Sequence, residues 1–143
     1  MSTGELEPRT TITHVGSVDA SDSPVHNIFV APCKCVLVGV GLVCGDTIAA
    51  DGSDYLNIDV DNVTPTTPEE VASLSTKTAE ADLNEIAPDT YEPMTLSSTK
   101  SRLELDAGDV LQATVTEAGT ATSGDLTEAA FVVRYVPGTG VGQ

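Results

Sequence analysis

The last third of the chain, Leu103 to Pro137, does most to limit the folds open to it. LELDAGDVLQATVTEAGTATSGDLTEAAFVVRYVP is a turn, a strand, a soft polar loop and a closing strand. Leu111, Ala113 and Val115 alternate with Gln112, Thr114 and Thr116. Successive side chains of a strand point to opposite faces, so this period of two predicts a half-buried strand. Further strands are predicted at Thr10–Val18, Val25–Val30, Cys35–Val43, Tyr55–Val60, Val71–Thr76 and Met94–Ser98, with the last two at Asp109–Thr116 and Ala129–Val136. Between them stand Gly, Pro, Asp, Asn and Ser, the residues that supply turn geometry. About eight short strands predict an all-β fold, an antiparallel β-sandwich of jelly-roll type. A competing reading sets one short helix in 68–83, PEEVASLSTKTAEADL, where Pro68 and two Glu suit a first turn and Val71, Leu74 and Leu83 supply a face.

The run Cys35–Val43, CVLVGVGLV, carries no polar side chain on either side of its alternation. Such a strand must be covered on both faces. The closing strand makes a similar demand, with Phe131, Val133 and Tyr135 pointing one way and Val132 and Val136 the other, beside Arg134. An apolar outer face on an acidic protein is a patch that symmetric association hides. The expected subunit interface is therefore Val36, Val38, Val40, Leu42, Val132 and Val136, and the expected assembly a homotrimer.

At 143 residues the chain is the size of one domain. Residues 1–9 read as a polar N-terminal arm, 10–137 as the sandwich and 138–143 as a glycine-rich tail. Aromatic residues make up only 3% and Trp is absent, so the core must be built from Val, Leu, Ile and Ala. Six Lys and Arg against 22 Asp and Glu give a net charge of −16. That surface excludes binding to phosphate backbones and anionic membranes, where affinity comes from cations. It would suit a saline setting, where salt screens the self-repulsion. No segment approaches the apolar length of a membrane span, and MSTGELEPRT has neither a basic nor an apolar leader region. Synthesis in a cytosol is expected. Cys33, Cys35 and Cys44 are odd in number and lie in the most apolar stretch, so free thiols are expected.

Four constellations carry residue types used in chemistry. Cys33, Cys35 and Cys44 with His14 and His26 have residue types that bind zinc, but the spacing fits no common zinc motif and their neighbours are Val and Leu. Buried small hydrophobes are the better reading. Asn57, Asp59 and Asp61 share a strand face, with Asp51 and Asp54 just before it, an oxygen-rich grouping that calcium would accept. It lacks the EF-hand loop, and a solvated strand face is expected. Gly39-Val-Gly41-Leu-Val-Cys-Gly45 is not followed by a helix whose N-terminus would hold pyrophosphate, so a bulge or close backbone approach is expected instead. Asn62-Val-Thr64 is a formal glycosylation sequon without a signal peptide. Neither His has a recognisable nucleophile with an orienting acid, so no catalytic residue, cofactor or metal is assigned and no enzyme is expected.

The run Leu103-Glu-Leu-Asp-Ala-Gly-Asp-Val-Leu111, with Gly119-Thr120, Asp125-Leu126 and Phe131-Val-Val-Arg-Tyr-Val-Pro137, resembles the C-terminal half of small β-sandwich proteins that decorate tailed-phage capsids. Phe29-Val-Ala-Pro-Cys-Lys-Cys-Val-Leu-Val-Gly-Val40 is similar to their early strand. Asp61 to Pro93 has no counterpart there. The resemblance implies a structural virion protein on the outer surface of a phage head, made in the host cytoplasm, whose partner is the major capsid protein. Glu5, Glu7 and Arg9 of the arm are then the expected capsid contacts. The alternatives are a carbohydrate-binding or host-adhesion module of a tail or fibre and, third, a calcium-dependent adhesion domain using Asp59 and Asp61. Sandwiches serve all three roles.

Overall fold

The computed structural model of the chain describes residues 7–20, 24–77, 85–119 and 126–138. Among these lie ten strands: β1 Arg9–Val18, β2 Val25–Val30, β3 Cys35–Val43, β4 Tyr55–Asn62, β5 Glu69–Ser75, β6 Glu92–Pro93, β7 Thr95–Leu96, β8 Glu104–Leu105, β9 Val110–Ala118 and β10 Leu126–Pro137. A 3₁₀ turn spans Lys100–Leu103, and no α-helix occurs among the described residues. The helix considered for 68–83 gives way to β5, which pairs with β4 through Ile58↔Leu74 and Val60↔Ala72; residues 78–83 lie outside the described residues. The β4 edge supplies hydrogen-bond partners and a buried face for Val71 and Leu74, and this tertiary pairing overrides a marginal helical pattern.

Two antiparallel sheets result. The first runs β1-β10-β3-β6, with β8 also on β3, and the second β2-β9-β4-β5-β7. The pairs nest in sequence, β1 with β10, β2 with β9, β3 with β6 and β8, β4 with β5, as in a long hairpin wound into two layers. This is the expected jelly-roll-like sandwich. Its fourth strand in the first sheet is split, β6 meeting β3 at Gly41 and Leu42 and β8 meeting it at Cys35 and Val36.

Between the layers lies one core of Leu37, Val40, Leu42, Leu56, Ile58, Val60, Leu74, Leu105, Leu111, Val115, Phe131 and Val133, with few aromatic rings. Burying each Leu or Val side chain contributes about 1.5–3 kcal/mol. The turn into β9 is held at two points. Asp109 N–H donates to the Asp106 carbonyl across Ala107 and Gly108, and Gly108 has the positive φ of 91° that this turn requires and side chains resist. The Asp109 carboxylate, buried, accepts from Asn62 Nδ2 and from Asp106 N–H, both at 3.0 Å, and so ties the turn to the end of β4. Asp109→Ala should cost about 2–3 kcal/mol, because it removes two bonds to a charged acceptor and strands the buried Asn62 amide. Asp109→Asn, which keeps an acceptor oxygen, should lose less. Urea denaturation of the three proteins checks both outcomes.

Candidate interaction surfaces

The two outer faces of the sandwich differ in chemistry. On the first sheet the outward positions are Thr10, Ile12 and His14 of β1, Ala130, Val132, Arg134 and Val136 of β10, and Val36, Val38 and Val43 of β3. These positions hold no carboxylate, but Glu104 of β8, exposed and paired with Val36, and Glu128 of β10, also exposed, bring two to the margins of the same sheet. Ile12 is 58% exposed and Val38 42%, so apolar surface reaches solvent here. Across three neighbouring strands Ile12, Val132 and Gly41 stand in one row. Tyr91 lays its ring over Gly41, on the spot where any side chain would put its Cβ. Glycine at 41 is thus a docking place for the ring.

A β-bulge decides which part of β3 joins this face. Arg134 opposes Gly39 and Tyr135 opposes Leu37, leaving Val38 as an extra residue. The extra residue shifts the alternation by one. Cys35 and Leu37 point inward before it, Val40, Leu42 and Cys44 after it. This corrects the expected interface: Val40 and Leu42 are core residues, 1% and 0% exposed, and cannot meet a partner. Val36, Val38, Val132 and Val136 do lie on the outer face, where Val132 is nearly covered by its neighbours. Ile12 and Tyr91 complete the patch. Ile12 was readable from its alternation with Thr11 and Thr13, whereas nothing near Tyr91 in sequence links it to Gly41.

Arg9, expected in the arm, is the first residue of β1, because its backbone pairs with Tyr135. Glu7 precedes it, exposed, and Glu5 lies outside the described residues.

The outer face of the second sheet is polar in its middle, while its edge strand β2 exposes Val25 and Val30. One row across it is Asn27, Gln112, Asp61 and Glu70, in which Gln112 Nε2 donates to Asn27 Oδ1 at 2.9 Å. Asp59 stands one step along β4 and shares a hydrogen bond with the Glu70 carboxyl. Partial burial and then the neighbouring Asp59 push the Glu70 carboxyl above its ordinary value, against a smaller opposing pull from Arg102. Asp61 is raised in the same way, by burial first and Asp59 second. Among the described residues no group of three or more His, Cys, Asp or Glu side chains is placed to hold a metal ion.

All three cysteines are free. Burial pushes the Cys35 thiol up to about 11, with Cys33 and Asp109 adding to the effect. Cys44 is also raised by burial, and its thiol donates to the Asp46 carbonyl. At neutral pH both are thiols rather than nucleophilic thiolates. His26 turns inward from β2 with its Nε2 buried and without a hydrogen-bond partner. No helix among the described residues is long and apolar enough to cross a membrane.

A third feature is a cleft at one edge of the sandwich, about 370 Å³ in volume, lined by Thr11, Thr13, Ile28, Phe29, Val30, Pro32 and Tyr135. The second bulge of interest, at Ile28, lets both Ile28 and Phe29 turn inward there. The Phe29 and Tyr135 rings meet at 5.3 Å, tilted by 51°.

No protein-family model matches the chain, and no curated protein matches it.

The raised carboxyls have a signed consequence. An acid whose folded value lies above its unfolded one binds its proton more tightly in the native state. Its stabilisation is complete below the ordinary carboxylate range of about 4 and is lost as pH rises through the raised folded value. Glu70→Gln removes that loss, so it should raise Tm at pH 7 by a few degrees and leave it unchanged near pH 3. Added salt should narrow the difference at pH 7. Thermal melts of both proteins across this range test it.

Proposed function

We propose that the protein is a structural virion subunit, a capsid decoration or cement protein that binds major capsid protein on the outer surface of a tailed-phage head and stabilises it. The observation that carries this reading is the contrast between the middles of the two outer faces: one apolar, with Glu104 at its margin, the other holding Asp59, Asp61 and Glu70, with Val25 and Val30 at its edge. A lone soluble domain has no use for Ile12, Val38 and Tyr91 gathered on one exposed face around Val132. A subunit packed against sisters and a shell does, while its acidic face meets solvent and keeps decorated particles apart. The resemblance of Leu103–Pro137 and Phe29–Val40 to decoration proteins points the same way. Bound only to the assembled shell, such a subunit raises the shell's resistance to expansion by mass action.

In this reading the apolar face joins three copies into a homotrimer, and Glu7 and Arg9, with Glu5 before them, reach charged groups on the capsid. Host-cytoplasmic synthesis followed by addition to the virion fits an acidic domain that binds neither nucleic acid nor membrane. The alternative of a carbohydrate-binding or host-adhesion module has no comparable support, since Tyr91 lies on the apolar face instead of lining a polar groove.

Light scattering at micromolar concentration should give a trimer, and Val38→Asp, at a 42% exposed position that tolerates charge, should give a folded monomer. Added to undecorated capsids, the wild type should bind with salt-dependent occupancy and the variant should bind at least tenfold more weakly. A wild-type monomer would remove the preformed trimer. Equal occupancy by both proteins would remove the apolar face from the interface.

A further inference from the structure

One edge of the sandwich is made by the first two strands of the chain. Among the described residues β1 pairs only with β10 and β2 only with β9, so each is the edge strand of its sheet, and the two edges lie side by side. They are joined where Thr13 Oγ1 donates to the carbonyl of Ile28 at 2.8 Å. Ile28 is the extra residue of the β2 bulge, which frees that carbonyl from the ladder. At the level of Thr11 the edges part, and the cleft described above opens between them.

We propose that this cleft is a docking slot for an extended, positively charged segment of another protein, which pairs with the free edge of β1 and lowers one uncharged apolar side chain between Phe29, Pro32 and Tyr135. It goes beyond the decoration reading and stands without it.

The walls set the chemistry of the side chain. No Asp, Glu, Lys, Arg or His lines the cleft, so a charged group would be desolvated there without a partner. A volume of about 370 Å³ is at the small end of binding pockets and accepts a group of leucine to phenylalanine size. Thr13 Oγ1 is already engaged, while Thr11 Oγ1 is enclosed and has no hydrogen-bond partner. A sugar, with hydroxyls on every side, would find two threonines and two aromatic rings that are themselves buried.

The strand explains why the occupant is a polypeptide. From Arg9 to His14 the pairing of β1 with β10 runs in unbroken register, and irregularity begins only after His14. That stretch contains no proline, and from Thr10 to Thr13 no charge, the usual devices that blunt an edge; Arg9, exposed opposite Tyr135, stands at its head. Its outer side offers main-chain donors and acceptors directly beside the cleft, the arrangement for strand addition with a side-chain pocket. Charge complementarity selects the partner: a domain at −16 attracts basic segments over distance and repels acidic ones.

The probes are ten-residue synthetic peptides with lysines at both ends and alternating threonine and apolar residues, differing in one central position: leucine, phenylalanine, valine or proline. Each is titrated into isotope-labelled full-length protein at about 0.15 M salt, where long-range attraction alone is screened. At least one peptide should shift the amides of Arg9 to His14, Ile28 to Val30 and Tyr135. Methylating the peptide's alternate backbone nitrogens should weaken it at least tenfold. Thr11→Leu, which fills the slot, should do the same, as should Val30→Asp on the 57% exposed rim, while Glu70→Gln on the opposite face should change nothing. Shifts centred on the acidic face would overturn the proposal. So would equal binding by the methylated peptide, equal binding to Thr11→Leu and Val30→Asp, or no binding by any peptide of the set. Occupation of the cleft by p-cresol in the absence of any peptide binding would show a small-molecule site and overturn it as well.

Discussion

Everything in this fold is arranged around a strand whose two faces both call for apolar cover. β3 has no polar side chain between Cys35 and Val43, and its place in the middle of the first sheet, between β10 and the split strand β6 and β8, is where both of its edges are paired. Its inner face fills the core with Leu37, Val40 and Leu42. Its outer face needs other cover, and receives it in part from the chain itself: Tyr91 over Gly41, and the aliphatic stem of Arg134 against Gly39, 3.6 Å from where a Cβ would stand. The two glycines make room for cover that side chains of their own would exclude. What the chain leaves uncovered, Val38 and Ile12, is the apolar remainder on which the proposed association rests.

The longer strands were legible because their signal is local, whereas the two-residue strands β6 and β8 were not. Val25–Val30 and Cys35–Val43 have the boundaries that turn residues and apolar runs predict, and β1, β4, β9 and β10 differ only at their ends. The phase of side chains within the strands was not legible. In CVLVGVGLV every residue is apolar or glycine, so nothing in the run marks where alternation breaks, and counting by twos puts Val40 and Leu42 on the same face as Val36 and Val38. The break is set across the sheet, where Arg134 meets Gly39 and Tyr135 meets Leu37. The same holds at Ile28 in β2 and Val71 in β5, each an extra residue that places two consecutive side chains in the core. A bulge is a property of a pair of strands, and one strand's sequence does not contain it.

Charge is divided between the faces for a related reason. The inner positions of β4 and β9 are uniformly apolar, Leu56, Ile58, Val60 against Leu111, Ala113, Val115, which leaves their outer positions free to be polar. Asp59, Asp61 and Glu70 come together there at the cost of mutual repulsion, seen in the raised Asp61 and Glu70 carboxyls. Were solubility the only requirement, carboxylates spread over both faces would serve it with less repulsion. The middle of the first sheet's outer face holds no carboxylate, and its charges are Arg134 and, at the margin, Glu104.

The gap between β1 and β2 follows from the same scarcity of large side chains. Inward positions near the edge of β1 are threonines, Thr11 and Thr13, where the central strands have Leu, Ile and Val. Threonine fills less space than leucine, and its hydroxyl must find an acceptor when enclosed. Thr13 finds one in the Ile28 carbonyl and draws the two sheets together; Thr11 does not, and the sheets stay apart. Phe29 and Tyr135, two of the five aromatic residues in the chain, close the back of the gap with their tilted rings but do not fill it. Replacing Thr11 with a larger apolar residue is thus the change that would complete the core at this edge. That a threonine stands there leaves the sandwich with space of side-chain size beside β1, which among the described residues pairs on one side only.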